Sequence, residues 1–301
     1  MILSVYSGAN KKMKILITGG TGFVGSKVVE KLAIAANSVL VLSRTRREKN
    51  NNVAYIGRDE IYQVFEKGLD VVIHIATEYG RGDNSPSTEA TNYDLPSYLL
   101  KLSEIFDVKL FLNTDSFYVR HKHTFHHMDE YIKTKEMFKK KLFDGTYSGV
   151  KRINVVLSHV CGVGDKSEKF LPWVIDEICK GNKVRLSECF QELDIIDVDD
   201  VSEAYFVIIS SMGTIRDKDE YEVGTGCVIQ LRVVIEKLLA LIQTKINVNK
   251  NNLLFGKNQA GNIEGTFRAD TNNIRSLGWK SRKVIDDSLL EMVTERLGKL
   301  D

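Results

Sequence analysis

The sequence predicts an α/β fold: a doubly wound parallel sheet with a smaller, mixed α/β lobe toward the C-terminus. Three observations carry the prediction. Short β-rich apolar runs alternate with helical stretches through the first half of the chain, the signature of parallel βαβ units. A glycine-rich turn joins the first such run to the first helical stretch. The alternation loosens after about residue 161 of the 301, which leaves room for one large domain or two moderate ones.

Taken in order, KILITGG (14–20) is a buried strand running into glycines, and SKVVEKLAIAA (26–36) has helical spacing. SVLVLS (38–43) is a second apolar run, DEIYQVFEKG (59–68) a helix and DVVIHIA (70–76) a strand. In YDLPSYLLKLSEIF (93–106), Asp94 is placed to cap a helix that carries Pro96 in its first turn. VKLFLNT (108–114) is a strand, Tyr131–Lys141 a helix and RINVVLSHV (152–160) a strand. LPWVIDEICKGN (171–182) reads as a helix. QELDIIDVDDVSEAYFVIISSM (191–212) reads as a strand and then a helix capped by Asp199 or Asp200. LRVVIEKLLALIQ (231–243) is an amphipathic helix, and the tail 270–297 ends in another.

These boundaries divide the chain into an N-terminal extension (1–12), a strand–helix domain (13–161, with 191–225 returning to it) and a smaller second lobe (162–190 and 226–301). Lys and Arg number 42 against 40 Asp and Glu. That balance gives no whole-molecule field for nucleic acid or acidic lipid. Three prolines exclude long Pro-rich linkers. The four cysteines form no C-x-x-C pair, so reduced thiols in a cytoplasmic protein are expected, with no metal site. No apolar run approaches the ~20 residues that span a bilayer, and the N-terminus is not a convincing signal peptide.

The turn after the first strand has Gly19, Gly22 and Gly25 in G-x-x-G-x-x-G spacing. A tight turn at Gly19 lets backbone N–H groups reach a pyrophosphate, Gly22 leaves room for it, and Gly25 lets the helix pack on the strand. Gly19, Gly22, Phe23, Val24 and Gly25 are therefore the expected phosphate contacts of a Rossmann-type sheet. At the end of the second strand a carboxylate would select NAD(H). Ser43 and Arg44 stand there instead, and a hydroxyl with a guanidinium suits a 2′-phosphate. NADP(H) is favoured, with NAD(H) possible. Ala76 and Thr77, after the strand DVVIHIA, are expected in the cofactor groove, and His74 on that strand reads as a core histidine.

TGGTGFVG, DVVIHIAT, the strand-end Thr114 and YIKTK together resemble the extended short-chain dehydrogenase/reductases, the epimerase/dehydratase group acting on nucleotide sugars. ATEYGR (76–81), FLNTDSFY (111–118), GVGDKSEKFLPWVI (162–175) and the LGW at 277–279 are similar to its reductases of CDP- or dTDP-4-keto-6-deoxyhexoses, the CDP-paratose and CDP-abequose synthases among them. The resemblance implies Tyr131 as proton donor, Lys135 as the cation that tunes it and as ribose ligand, and Thr114 as the group that positions the carbonyl. The physical reason is plain. A phenol of pKa about 10 is a poor proton relay at neutral pH until a nearby ammonium favours its phenolate, and residues four apart share a helix face.

The dehydratases of the group carry Asp-Glu after the threonine, whereas this chain has Asp115–Ser116, which favours reduction over elimination. Tyr79, Asp115, Ser116, Lys169, Phe170, Arg185 and Arg232 are expected toward the nucleotide sugar. Glu192–Leu193 replaces an arginine that group members use at the diphosphate, which makes Arg232 or Arg268 the substitute. Asn92 matches an asparagine that braces the sheet. The tract HKHTFHH (121–127) reads as a loop over the active site.

The expected activity is NADPH-dependent reduction of a 4-keto sugar nucleotide for surface polysaccharide, by a cytoplasmic homodimer. Its alternatives are an epimerase or dehydratase with tightly held NAD, and a non-catalytic dinucleotide-binding regulator.

Overall fold

The structure is a computed structural model that describes residues 12–299 except 36, 46–47, 49–51, 81–84, 123, 125–127 and 257–264. The expected extension therefore lies, but for Lys12, outside the described residues. The chain divides into two compact units, Met1–Asn113 with Thr134–Ile153 and Arg216–Asp219, and Thr114–Lys133 with Asn154–Ile215 and Glu220–Asp301.

The elements of the first part run β1 (Lys14–Thr18), α1 (Phe23–Ile34), β2 (Ser38–Leu42), β3 (Val53–Ile56), α2 (Ile61–Glu66), β4 (Val71–His74), α3 (Ser85–Glu89), α4 (Leu95–Ile105), β5 (Leu110–Ser116), α5 (Phe117–Arg120), α6 (Asp129–Leu142) and β6 (Lys151–Leu157). There follow β7 (His159–Cys161), α7 (Phe170–Cys179), β8 (Val184–Arg185), β9 (Glu192–Leu193), β10 (Ile195–Asp197), α8 (Val198–Ser210), β11 (Asp219–Val223), β12 (Ile229–Gln230), α9 (Leu231–Gln243), β13 (Leu253–Leu254), β14 (Thr266–Phe267), α10 (Asn272–Arg275) and α11 (Ile285–Leu297).

Seven strands form the main sheet in the order β11-β6-β5-β4-β1-β2-β3. The pairings β1–β2, β1–β4, β2–β3 and β4–β5 are parallel, with Ile17 opposite Val41 and Ile73. This is the doubly wound sheet that the sequence predicts. The interior strands are largely apolar because helices cover both faces, with polar residues such as Thr18, His74 and Thr114 toward their C-terminal ends; all four residues of β4 are buried. One face of the first unit buries Leu16, Phe65, Leu99, Phe111 and Phe138 completely, each worth roughly 1.5–3 kcal/mol of transfer free energy. The other small sheets are short: β10 with β7, β12-β9-β14, and β13 with β8.

β3 and β11 were not expected. They are the two edges of the seven-stranded sheet, and edge strands need no continuous apolar signature. DEYEV has only two buried residues. Asp94 stands at the N-cap of α4 with Pro96 in the first turn, as expected, but its backbone is already helical (φ −68°, ψ −50°) and its side chain makes no cap bond. A π-turn, Ala90–Asp94, runs straight into α4. The helix α8 is capped by neither Asp199 nor Asp200 but by Asp197, whose carboxylate accepts from the Asp199 N–H at 2.8 Å. Asp200 accepts instead from the Arg282 and Lys283 N–H groups, both at 2.9 Å.

The strand expected from Gln191 onward is broken by Asp194, which is fully buried. Its carboxylate collects the Thr225 N–H and hydroxyl (both 2.8 Å), the Gly226 N–H (2.9 Å) and the Ala269 N–H (3.2 Å).

Candidate active site

The turn after β1 is built by close backbone approach. Gly19 has φ 70°, and a Cβ there would lie 2.5 Å from the Ala76 nitrogen. A Cβ on Gly25 would lie 2.1 Å from the Gly19 carbonyl oxygen. Gly22 is the N-cap of α1 in an extended conformation, and no side chain caps the helix. The N–H groups at the start of α1, Phe23 through Gly25, therefore lack the side-chain acceptor that most helix ends carry. This end suits the diphosphate of a dinucleotide in both shape and sign.

Ala76 N–H donates to Thr18 Oγ1 at 3.2 Å, which ties the loop after β4 to the end of β1. Thr18 Oγ1 is also 2.9 Å from His74 Nδ1. His74 is fully buried, and its Nε2 has no hydrogen-bond partner among the described residues. Burial first, and the charge of Lys135 second, hold its pKa well below the ordinary imidazole value. It is neutral, as a core histidine should be, and half satisfied. Ser43 spends its hydroxyl on the Thr45 carbonyl (2.9 Å), and Arg44 is exposed.

Asn92, which the π-turn carries into the interior, uses both ends of its carboxamide. Its oxygen accepts from the Glu78 N–H (2.9 Å) and the Thr77 hydroxyl (3.3 Å). Its nitrogen donates to the Glu78 carbonyl (2.8 Å) and to Thr134 Oγ1 (3.1 Å). It thus braces the loop behind β4 to α6 one residue before Lys135. Tyr79 closes that loop, with its N–H on the Glu78 carboxylate at 3.1 Å.

Tyr131 and Lys135 both lie on α6. They are 3% and 2% exposed, although the helix has lysines at 133, 139, 140 and 141 that solvate readily. A buried lysine is rare unless it has a task or a partner. The Tyr118 ring meets the Tyr131 ring edge-on, with centroids 6.4 Å apart.

Thr114 is buried, and its Oγ1 is 2.5 Å from the phenol oxygen of Tyr205 on α8. Asp115 is also buried. One of its oxygens accepts from the Ser116 N–H (2.8 Å) and the other from Asn154 Nδ2 (3.1 Å). Asn154 Nδ2 also donates to Glu220 (2.6 Å), which pairs with Arg120 at 2.5 Å. Arg120 reaches Glu222 as well, at 2.7 Å. Ser116 caps α5, accepting from the Tyr118 N–H at 3.4 Å.

In the C-terminal part, Lys169 is the half-buried N-cap of α7 and Phe170 is exposed beside Trp173, with ring centroids 6.3 Å apart. Arg185 is exposed on β8. Arg232 is already met by two carboxylates, Glu188 at 3.3 Å and Glu236 at 3.2 Å, and its guanidinium lies 4.2 Å from the Phe255 ring centre. Glu192 accepts from the Thr266 hydroxyl at 2.6 Å. His121 is described within the His-rich tract, and His123, His126 and His127 lie outside the described residues. Among the described residues no three His, Cys, Asp or Glu side chains are placed to hold a metal ion.

Sequence reading missed Asn154, Glu220, Arg120 and Tyr205. Their partners come from 39 to 100 positions away, and nothing local marks them. The one available signal was a tyrosine standing in the buried face of α8 among Val201, Ala204 and Ile208.

The sheet order and the open helix end define a dinucleotide-binding fold of the Rossmann type. The UDP-glucose 4-epimerase of Thermotoga maritima, solved with UDP-glucose, shares it with a TM-score of 0.79 at 19% identity, over 96% of this chain and 100% of that one. The model of the NAD dependent epimerase/dehydratase family matches residues 15–224, and the chain belongs to that family. CDP-abequose synthase of Salmonella typhimurium (strain LT2) is 31% identical over 89% of this chain and 93% of its own length. The protein of the same name from Yersinia pseudotuberculosis is 24% identical over 95% of this chain and 100% of its own. The chain is an NAD(P)-dependent nucleotide-sugar enzyme. No helix among its described residues is long and apolar enough to cross a membrane.

Proposed function

We propose that the protein reduces the C4 ketone of a nucleotide-linked 4-keto-6-deoxyhexose, with NADPH, in the synthesis of a surface-polysaccharide sugar in the cytoplasm. The observation that carries the reading is the buried Tyr131–Lys135 pair on one turn of α6. When bound, the coenzyme would supply a hydride to C4. Negative charge then gathers on the ketone oxygen. Thr114 donates a hydrogen bond to that oxygen, where a preorganised donor has its largest effect. Tyr131 gives the oxygen its proton and leaves a C4 hydroxyl, and the Lys135 ammonium favours the resulting phenolate.

Gly19, Gly22, Phe23, Val24 and Gly25 would hold the pyrophosphate, Ala76 and Thr77 the groove beside it, and Lys135 the ribose. Arg44 would take the 2′-phosphate that makes NADP(H) the preferred coenzyme, and Ser43 joins it only by turning its hydroxyl away from the Thr45 carbonyl. Ser116 supports reduction over dehydration, because a hydroxyl cannot remove a carbon-bound proton at neutral pH and this one is engaged as a helix cap. The names of the relatives support a CDP-linked sugar ahead of a dTDP-linked one. Tyr79, Asp115, Lys169, Phe170 and Arg185 are its proposed contacts. Arg232 reaches the diphosphate only by giving up Glu188 or Glu236. A homodimer would use the exposed side of α4, where Tyr98 is 45% and Ile105 55% exposed.

The test is NADPH oxidation with a panel of CDP- and dTDP-4-keto-6-deoxyhexoses. Turnover of at least one member is expected, with a loss of about 10²- to 10⁴-fold in Tyr131→Phe and unchanged coenzyme affinity. No oxidation with any member overturns the reading. NAD retained through purification, with no net redox change, would mark an epimerase.

A further inference from the structure

We infer that Tyr205 is the positioning residue that sets the direction of the Thr114 hydroxyl, an inference that rests on the reductase reading above. Tyr205 is fully buried in the middle of α8, and its phenol oxygen stands 2.5 Å from Thr114 Oγ1. The two residues are 91 positions apart. Its neighbours on the helix face, Val201, Ala204 and Ile208, are apolar. Phenylalanine would fill the same space without a polar atom, so the hydroxyl is an expense to the core unless it is bonded. Thr114 is where it is bonded.

Burial pushes the phenol's pKa up, so Tyr205 is a neutral O–H at any working pH. Of the two hydroxyls the phenol is the more acidic and the better donor, and we assign it that role. The Thr114 oxygen then accepts, and its own hydrogen must point away from Tyr205. A threonine hydroxyl is otherwise a rotor that turns to suit its surroundings. Fixing it before the reaction removes a reorganisation that would otherwise accompany charge development on the ketone oxygen, and that is the condition under which such donors are effective. Tyr205 itself touches neither substrate nor coenzyme in this scheme. It acts through Thr114.

The experiment is a double-mutant cycle of Tyr205→Phe and Thr114→Val, read on the panel member that the wild-type protein turns over. Tyr205→Phe is expected to lower kcat about 10- to 100-fold, with KM and coenzyme affinity little changed and cooperative thermal unfolding retained. In the Thr114→Val background the same change should cost nothing further, because there is no hydroxyl left to aim. Thr114→Ser, which keeps the contact, should stay within about threefold of wild type. An equal fractional loss in both backgrounds would mean a merely structural tyrosine and overturn the inference, as would an unchanged kcat in Tyr205→Phe. So would a Thr114→Ser enzyme as impaired as Thr114→Val. If the wild-type protein turns over no panel member, the functional reading fails and this inference falls with it; an active wild type indifferent to Tyr205 defeats the inference alone.

Discussion

α1 and α8 both follow a strand, α1 after a four-residue turn and α8 directly, and both are entered through an extended N-cap residue, Gly22 (φ −85°, ψ 177°) and Asp197 (φ −72°, ψ 142°). They are finished differently. Asp197 closes the end of α8 with a carboxylate on the Asp199 N–H, and Asp199 and Asp200 add negative charge in the first turn. The end of α1 has no side-chain cap and no acidic residue in its first turn. An aspartate cap is worth a few tenths of a kcal/mol over a glycine cap, so α1 forgoes a little stability that α8 takes. The lesson is that an uncapped, acid-free helix end on an otherwise well-packed strand–helix unit leaves its N–H groups to an anion from outside the chain, whereas a self-capped end excludes one.

The comparison breaks most severely at Gly25. A valine there must move the Gly19 carbonyl, 2.1 Å from its Cβ, so coenzyme affinity in titration calorimetry should fall more than about 100-fold, with stability lowered by about 2–3 kcal/mol. A retained affinity would mean that the open end is not the diphosphate site.

Gly22→Asp sharpens the contrast, since it gives α1 the finish of α8. The free protein should gain a few tenths of a kcal/mol, roughly 0.3, while coenzyme binding weakens about tenfold, because the new carboxylate occupies the N–H groups and repels phosphate. Stability and affinity moving in the same direction would contradict the account.

A further effect appears in acid. The turn before α1 leans on Thr18 and the buried, neutral His74. Its folded pKa lies below the unfolded value, about 6.5, so below that pH the unfolded chain binds a proton that the folded one refuses. Its contribution is therefore whole above about pH 6.5 and is lost as pH falls, at up to about 1.4 kcal/mol per unit. Urea titrations from pH 7 to pH 5 should show a slope to which the buried His159, its pKa lowered to about 3, adds its own share, and His74→Gln should reduce it by one proton's worth.

What the sequence made legible follows the same division. The interior strands β1, β4 and β5 are buried on both faces and announce themselves as apolar runs; the edges β3 and β11 do not. The glycine turn is legible because close backbone approach permits no other residue, and Tyr131–Lys135 because one helix turn brings near neighbours in the chain together. The cap of α8 was misplaced by two or three residues, since Asp197, Asp199 and Asp200 crowd its start and only the backbone angles select among them; at α4 Asp94 holds the expected place, but the chain arrives already helical. Tyr205, Asn154 and Glu220 are invisible locally, because each matters only through a partner that the fold delivers from far along the chain.

Asn92 holds its loop with two accepted and two donated hydrogen bonds from one short planar group. Aspartate has the shape without the donors, leucine the shape without either, and glutamine is one methylene too long. At this one amide the sequence is confined, because every neighbouring choice breaks at least one of four contacts at once and no intermediate is neutral.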